Sequence, residues 1–321
     1  MISRALRAQV EGSLWPNAHR TAPVRRGILP TKRTITATNR SPERTPWTKK
    51  KPFDHAPWGS PSSTKGIIRF LGPTKDGNPA FLDFKKGQEN GTNFGPSLEA
   101  TVDVTDLRNF EPPTTLASEG IEWIYAPSIL SEDNTGASQV VAYNFRHRRI
   151  EQNTNLFDPY NFSAKPLPNF HMDNDAETAA VNLRRVLGNE EAERWLSKHW
   201  GIVNVWRPVG DVVRQWPLGL VDARSLSPSR DTVPIYTRNN YKTHFTALKY
   251  SSRLRFYYVS NLAPDEALIY VDFDSVPGGE EASGHGPGLG MAHGAFEDLG
   301  APEVTPRRRS IEVRCLVLYE K

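Results

Sequence analysis

The chain has 321 residues, 37% of them hydrophobic and 24% charged, with 26 prolines and 23 glycines. That balance is globular but turn-rich, and it suits many short strands better than a helical bundle. Its one cysteine, Cys315, excludes an internal disulfide and a thiolate-only metal cluster, and no run approaches the roughly 20 apolar residues of a membrane-spanning helix.

The net charge of +4 conceals a split. Residues 1–51 hold twelve Lys/Arg against Glu11 and Glu43, which leaves −6 on the remainder. We read residues 1–60 as a basic, Pro-rich extension. Its acid-poor start, Met1-Ile2-Ser3-Arg4-Ala5-Leu6-Arg7, also fits the opening of a mitochondrial targeting segment. A nucleic-acid-binding arm is the weaker alternative, because no aromatic stacking platform accompanies the charge.

The first expected strand is Gly66–Leu71, followed by a turn at Asp76-Gly77-Asn78-Pro79 and a second strand at Ala80–Phe84. Short alternating runs follow at Val102–Asp106, Ile121–Tyr125 and Val140–Phe145. The cluster Arg146-His147-Arg148-Arg149 reads as a solvated strand end. Residues 176–199 form the one helical region: Ala180, Leu183, Val186 and Leu187 step by three and four, and Gly188-Asn189 divides it into two helices. Further strands are expected at Ile202–Pro208, Pro217–Asp222, Leu254–Val259, Ala267–Phe273 and Ile311–Leu318, with a Gly-rich loop over 277–290. Short strands without a βαβ rhythm imply a mainly β domain over 61–321, a jelly-roll or related sandwich with a helical insert.

Between the polar stretch 151–168 and the helices lies His171-Met172-Asp173. Residues i and i+2 of a strand share a face, so His171 and Asp173 can reach one ion. One further histidine would complete the two-His, one-carboxylate arrangement of non-haem iron oxygenases. His199, His244, His285 and His293 are the candidates. His199 sits in the helical insert, His244 in a polar segment and His285 in the Gly-rich loop, whereas His293 opens a late strand in Met291-Ala292-His293-Gly294-Ala295-Phe296. Downstream, Arg308 and Ser310 have strand spacing, and a guanidinium beside a hydroxyl is a natural carboxylate receptor. The competing reading of Arg307-Arg308-Arg309 is a basic edge strand that discourages aggregation.

In this order the residues resemble the fungal AsaB-type hydroxylase/desaturase family, which includes the gibberellin desaturase and is similar to a bacterial cephem-methoxylation subunit. The resemblance spans about residues 65–321. It is carried by His171-Met172-Asp173, Asn204-Val205-Trp206-Arg207-Pro208, Pro217-Leu218 through Asp222-Ala223-Arg224-Ser225, Phe256-Tyr257-Tyr258, Pro264-Asp265-Glu266, Phe273-Asp274-Ser275, His293-Gly294-Ala295-Phe296 and Arg309 through Arg314. The long basic arm and the Gly-rich insertion before His293 depart from the family pattern.

The resemblance implies a double-stranded β-helix that uses Fe(II), 2-oxoglutarate and O2 to hydroxylate or desaturate an unactivated C–H of a small molecule. His171, Asp173 and His293 would hold the metal, and Arg308 with Ser310 the far carboxylate of 2-oxoglutarate. Asn204 and Arg207 are carried over as cofactor-binding residues, although their opposite parity lets at most one face the cavity. Asp222 and Arg224 read as a structural pair, Tyr257 and Tyr258 as core or pocket wall. The expected setting is the cytoplasm, with no nucleic-acid or membrane partner and a homodimer as one option for assembly. The alternative is a non-catalytic binding or partner subunit that keeps the same barrel.

Overall fold

The structure is a computed structural model that describes residues 63–83, 91–116, 118–125, 137–150, 163–237, 244–275, 290–303 and 305–320. The expected extension 1–60 and almost all of the Gly-rich loop 277–290, His285 included, lie outside the described residues.

Sixteen strands are described: β1 Ser63–Phe70, β2 Phe81–Leu82, β3 Leu98–Asp106, β4 Ile121–Tyr125, β5 Gln139–Arg149, β6 Ser163–Ala164, β7 His171–Met172, β8 His199–Pro208, β9 Leu218–Val221, β10 Thr232–Thr237, β11 His244–Leu248, β12 Phe256–Tyr258, β13 Glu266–Asp274, β14 His293–Ala295, β15 Glu297–Asp298 and β16 Arg309–Tyr319. They form a ten-stranded sheet, β15-β1-β3-β12-β9-β14-β7-β11-β10-β2, and a six-stranded sheet, β4-β13-β8-β16-β5-β6. Strands distant in sequence are neighbours in both, as expected of a jelly-roll.

The second sheet shows how side-chain parity sorts the core. Even-numbered Trp206, with Leu268 and Tyr270 beside it, packs with Leu218, Leu220 and Tyr257 of the first sheet and with Met291. Odd-numbered Val203 and Val205 turn the other way and pack with Ala267, Ile269, Cys315 and Val317. Trp206 and Tyr270 are almost fully buried, and burial of one such ring is worth roughly 1.5–3 kcal/mol. The first sheet also curls back on itself. The Leu71 amide donates to the Leu248 carbonyl, and the Phe170 amide donates to the Arg69 carbonyl. Phe70, Phe170, Phe256, Tyr258 and Phe296 fill the space so enclosed, in edge-to-face contacts.

The helical insert divides where the glycine predicted. α1 (Ala176–Leu187) is capped by Asp175, whose carboxylate accepts from the Thr178 amide, and it ends at Gly188 with φ +81°. α2 (Asn189–Leu196) follows. Ala179, Leu183, Ala192 and Trp195 bury their shared stripe on Trp200, Ile202 and Phe273.

Three local expectations change. His199 is not helical: it opens β8, stacks on Tyr319 and bonds Asp274 at 2.9 Å. His244 opens β11 rather than lying between strands. The basic cluster at 146–149 is not a solvated strand end. β5 runs through it to Arg149, with Arg146 opposite Glu312 and Arg148 opposite Ser310 on β16. Directly opposed residues share a face, so both guanidinium groups stand on the face that carries Trp206, Ser310 and Glu312.

Candidate metal centre

β7 and β14 lie side by side, with His171 and His293 as register partners and ring centroids 4.7 Å apart. Asp173 follows β7 directly. Its carboxylate oxygens lie 3.5 Å from His171 Nε2 and 3.7 Å from His293 Nε2, and the three ligand atoms all fall within 4.8 Å of one another. Each imidazole Nδ1 is held by the backbone carbonyl two residues earlier, His171 by Asn169 at 2.8 Å and His293 by Met291 at 2.9 Å. A carbonyl only accepts, so Nδ1 carries the proton and both Nε2 lone pairs point at the shared space.

Packing forces this approach. Gly219 of β9 and Gly294 of β14 are paired, and the Phe170 ring covers both. A Cβ at Gly294 would stand 2.6 Å from that ring, and one at Gly219 2.7 Å. The residues beside His171 and His293 therefore set the spacing between the two strands.

Electrostatics prepares the same atoms. Burial alone would raise the Asp173 pKa, but Arg314, together with the two imidazoles, holds it well below the ordinary carboxylate range. Burial, then the neighbouring His171, lowers that of His293 and keeps it neutral. An anionic carboxylate and a neutral imidazole are the forms that bind a divalent ion. One His-x-Asp strand and one distant His leave coordination positions open, the pattern of non-haem Fe(II) rather than of a closed structural zinc site.

A cavity adjoins these ligands, lined by Arg148, His171, Trp206, His293, Arg308 and Glu312, among others. Arg308 is buried, stacks over the Trp206 ring at 4.9 Å and donates to the Trp216 carbonyl and to Ser310 Oγ at 3.3 Å. Trp216 takes the left-handed φ of +52° to present that carbonyl. No carboxylate of the described residues forms an ion pair with Arg308. Burial, then the charge of Arg148, weakens its hold on its proton, and an arriving anion would relieve both.

The other carried-over residues separate by parity. Asn204 is fully buried on the inner face and donates to the Tyr270 hydroxyl, while its Oδ1 has no partner among the described residues. Arg207 turns to the opposite face and donates to the Pro264 carbonyl, away from the cavity, so its assignment as a cofactor-binding residue is corrected. Asp222 and Arg224 form the expected pair at 2.9 Å, and Tyr257 donates to Asp222 from the core.

Sequence reasoning missed a buried polar lattice behind the ligands. Arg314 bonds Asp173 at 2.6 Å and Glu312 at 3.2 Å, and the Tyr270 hydroxyl donates to Glu312 at 3.1 Å. Asn174 donates to Asp272 at 2.6 Å and accepts from Asn182. Burial, with Asp173 nearby, raises the Asp272 pKa well above the usual range. The signal was present, since Glu312 and Arg314 continue the i, i+2 series begun by Arg308 and Ser310.

The chain is similar to several known proteins. A family profile described as "Oxidoreductase/YMDC permease-like domain" matches residues 128–318. The chain is 28% identical over 310 residues to Oxidoreductase R1 of a Phoma species, covering 80% of this chain and 98% of the relative. It is 31% identical over 224 residues to the Fe(II)/2-oxoglutarate-dependent dioxygenase nvfI of Aspergillus novofumigatus, covering 68% of this chain and 74% of the relative. A solved structure of the iron and alpha-ketoglutarate-dependent endoperoxidase NvfI superimposes with a TM-score of 0.66 at 23% identity, over 81% of this chain and 99% of that one, which is a likeness of fold.

Proposed function

The chain belongs to the fungal hydroxylase/desaturase family of Fe(II)/2-oxoglutarate-dependent oxygenases, and from that premise we propose that His171, Asp173 and His293 hold the iron and that Arg308 with Ser310 receives the far carboxylate of 2-oxoglutarate. The reaction we infer is hydroxylation or desaturation of an unactivated C–H of a small molecule in fungal secondary metabolism. One observation carries the site assignment: two Nδ1-anchored histidines and a carboxylate converge beside a cavity that is also lined by a buried guanidinium with no carboxylate partner among the described residues.

When bound, iron with 2-oxoglutarate and O2 supplies an oxidant for hydrogen-atom removal, with succinate and CO2 as coproducts. The protein supplies position and exclusion. Asn169 and Met291 fix the imidazoles through their carbonyls, and Arg314 fixes the carboxylate. Trp206 and Leu218 give the cavity apolar lining, and Arg308, which lines it too, would with Ser310 take the far carboxylate of 2-oxoglutarate.

Residues 61–321 are proposed as the oxygenase domain and 1–60 as an extension to it. Among the described residues no helix is long and apolar enough to cross a membrane. We propose a cytoplasmic setting, which accords with a sequence whose single cysteine forms no internal disulfide. Anaerobic titration of the full chain with Fe(II) and then 2-oxoglutarate tests the reading. The weak visible charge-transfer band of the chelate is expected in the wild-type chain and absent from His171→Ala, Asp173→Ala and His293→Ala. A wild-type chain that never develops the band overturns it.

A further inference from the structure

We propose that Arg146 is the receptor for an acidic group, a carboxylate, on the substrate. The inference rests on the oxygenase reading and goes beyond it, because both carboxylates of the cosubstrate already have receptors there: the metal for one, Arg308 with Ser310 for the other.

Four guanidinium groups stand on the inner face of β5 and β16 or at its edge, and three are committed. Arg308 donates to the Trp216 carbonyl and Ser310. Arg148 lines the cavity and donates to the Lys165 carbonyl at 3.1 Å. Arg314 holds Asp173 and Glu312. Arg146 stands two residues from Arg148, opposite Glu312, and among the described residues it forms neither a hydrogen bond nor an ion pair. Glu312 does not serve it, because that carboxylate is taken by Arg314 and by the Tyr270 hydroxyl.

The side chain is partly buried and near enough to the centre to respond to Arg314, Arg148, Asp173 and Glu312 together. Burial, then the like charges of Arg314 and Arg148, opposes its charged form, and the two carboxylates only partly offset them. A cation so placed is costly unless an anion arrives. An alcohol or ketone would satisfy one N–H; a carboxylate satisfies the fork and the charge at once. The substrate class this selects is a small molecule whose oxidised C–H lies within reach of the metal while an acid group is anchored on β5.

The test uses the full chain, loaded anaerobically with Fe(II) and 2-oxoglutarate. Decanoic, cinnamic and abietic acids are each titrated against their methyl esters, read by calorimetry and by the change in the visible band. In the wild-type chain at least one acid is expected to bind about tenfold or more tighter than its ester. R146Q should abolish that preference, with a loss for the acid at least tenfold larger than any loss for 2-oxoglutarate. R146K should keep part of it, which a merely structural role would not produce. Esters that bind as well as acids, no binding by any acid, or a preference that survives in R146Q each overturns the proposal. A loss that falls on 2-oxoglutarate instead also overturns it, by assigning Arg146 to the cosubstrate. A band in the wild-type chain without acid preference removes this inference alone, whereas no band removes the oxygenase reading as well.

Discussion

Arg314 grips Asp173. Its Nη2 lies 2.6 Å from Asp173 Oδ2, a charge-assisted bond that joins residues 141 positions apart and links the second sheet to the metal-facing carboxylate of the first. The same guanidinium reaches Glu312, which Tyr270 steadies in turn. Partners of this kind orient ligands, and their removal typically weakens metal binding about 10–100-fold. R314Q is expected to lose Fe(II) affinity in that range, with R314K intermediate, as measured by anaerobic Fe(II) titration. Unchanged affinity in a folded R314Q would make the contact structural only.

Arg308 should act on a different ligand. It bonds neither histidine nor Asp173 but lines the cavity beside them, held over Trp206. Loss of a charged hydrogen-bonding partner costs about 1.5–3 kcal/mol, so R308A should raise the 2-oxoglutarate KM about 10–100-fold and leave Fe(II) affinity within about twofold. R308K should recover only part of the loss, since an ammonium keeps the charge but does not reproduce the fork. An effect on iron instead of 2-oxoglutarate would place Arg308 elsewhere in the mechanism.

These two arginines mark what the sequence discloses. His171 and Asp173 are legible because two ligands on one short strand are local, and Arg308 with Ser310 because strand spacing is local too. The choice of His293 over His199 and His244 needs the register of β14 against β7, a pairing across more than a hundred residues. Arg146 and Arg148 were misread for a related reason. A run of four basic residues looks solvated until the pairing with β16 shows which two turn inward. Arg207 is the converse: strand parity sets it on the face opposite Asn204 and Trp206, but only the packing of β8 shows which of the two faces is the inner one.

Glycine at position 294 is a steric requirement of the centre. A Cβ there would stand 2.6 Å from the ring of Phe170, the residue before His171, and the glycine directly follows His293. G294A must push that ring back or spread β7 from β14. Overpacking of this kind costs about 1–3 kcal/mol, and the displacement falls on the separation of the two imidazoles. The expected result is a lower denaturation midpoint together with weakened Fe(II) binding. A destabilised G294A that binds iron normally would show that the strain is absorbed away from the ligands.

Asp222 should govern acid stability rather than turnover. Its buried carboxylate accepts from Arg224 Nε at 2.9 Å and the Tyr257 hydroxyl at 3.0 Å, and lies 2.9 Å from Arg255 Nη2. Burial would raise its pKa, but the hydrogen bond and charge of Arg224, then Arg255, bring it below the usual 3.8. A carboxyl whose folded pKa is depressed stabilises the fold above its unfolded pKa, and that contribution fades as pH falls through the folded value. The stabilisation is therefore complete at neutral pH and lost only below about pH 4. D222N keeps the volume and removes the charge, stranding Tyr257 and two guanidinium groups. Because both arginines are partly exposed, the cost should be about 2–3 kcal/mol at pH 7, read from urea denaturation. The difference between D222N and wild type should shrink as the pH is taken from 5 toward 3. A difference that stays constant over that range would mean that the packing of residue 222, and not its charge, holds this corner of the fold.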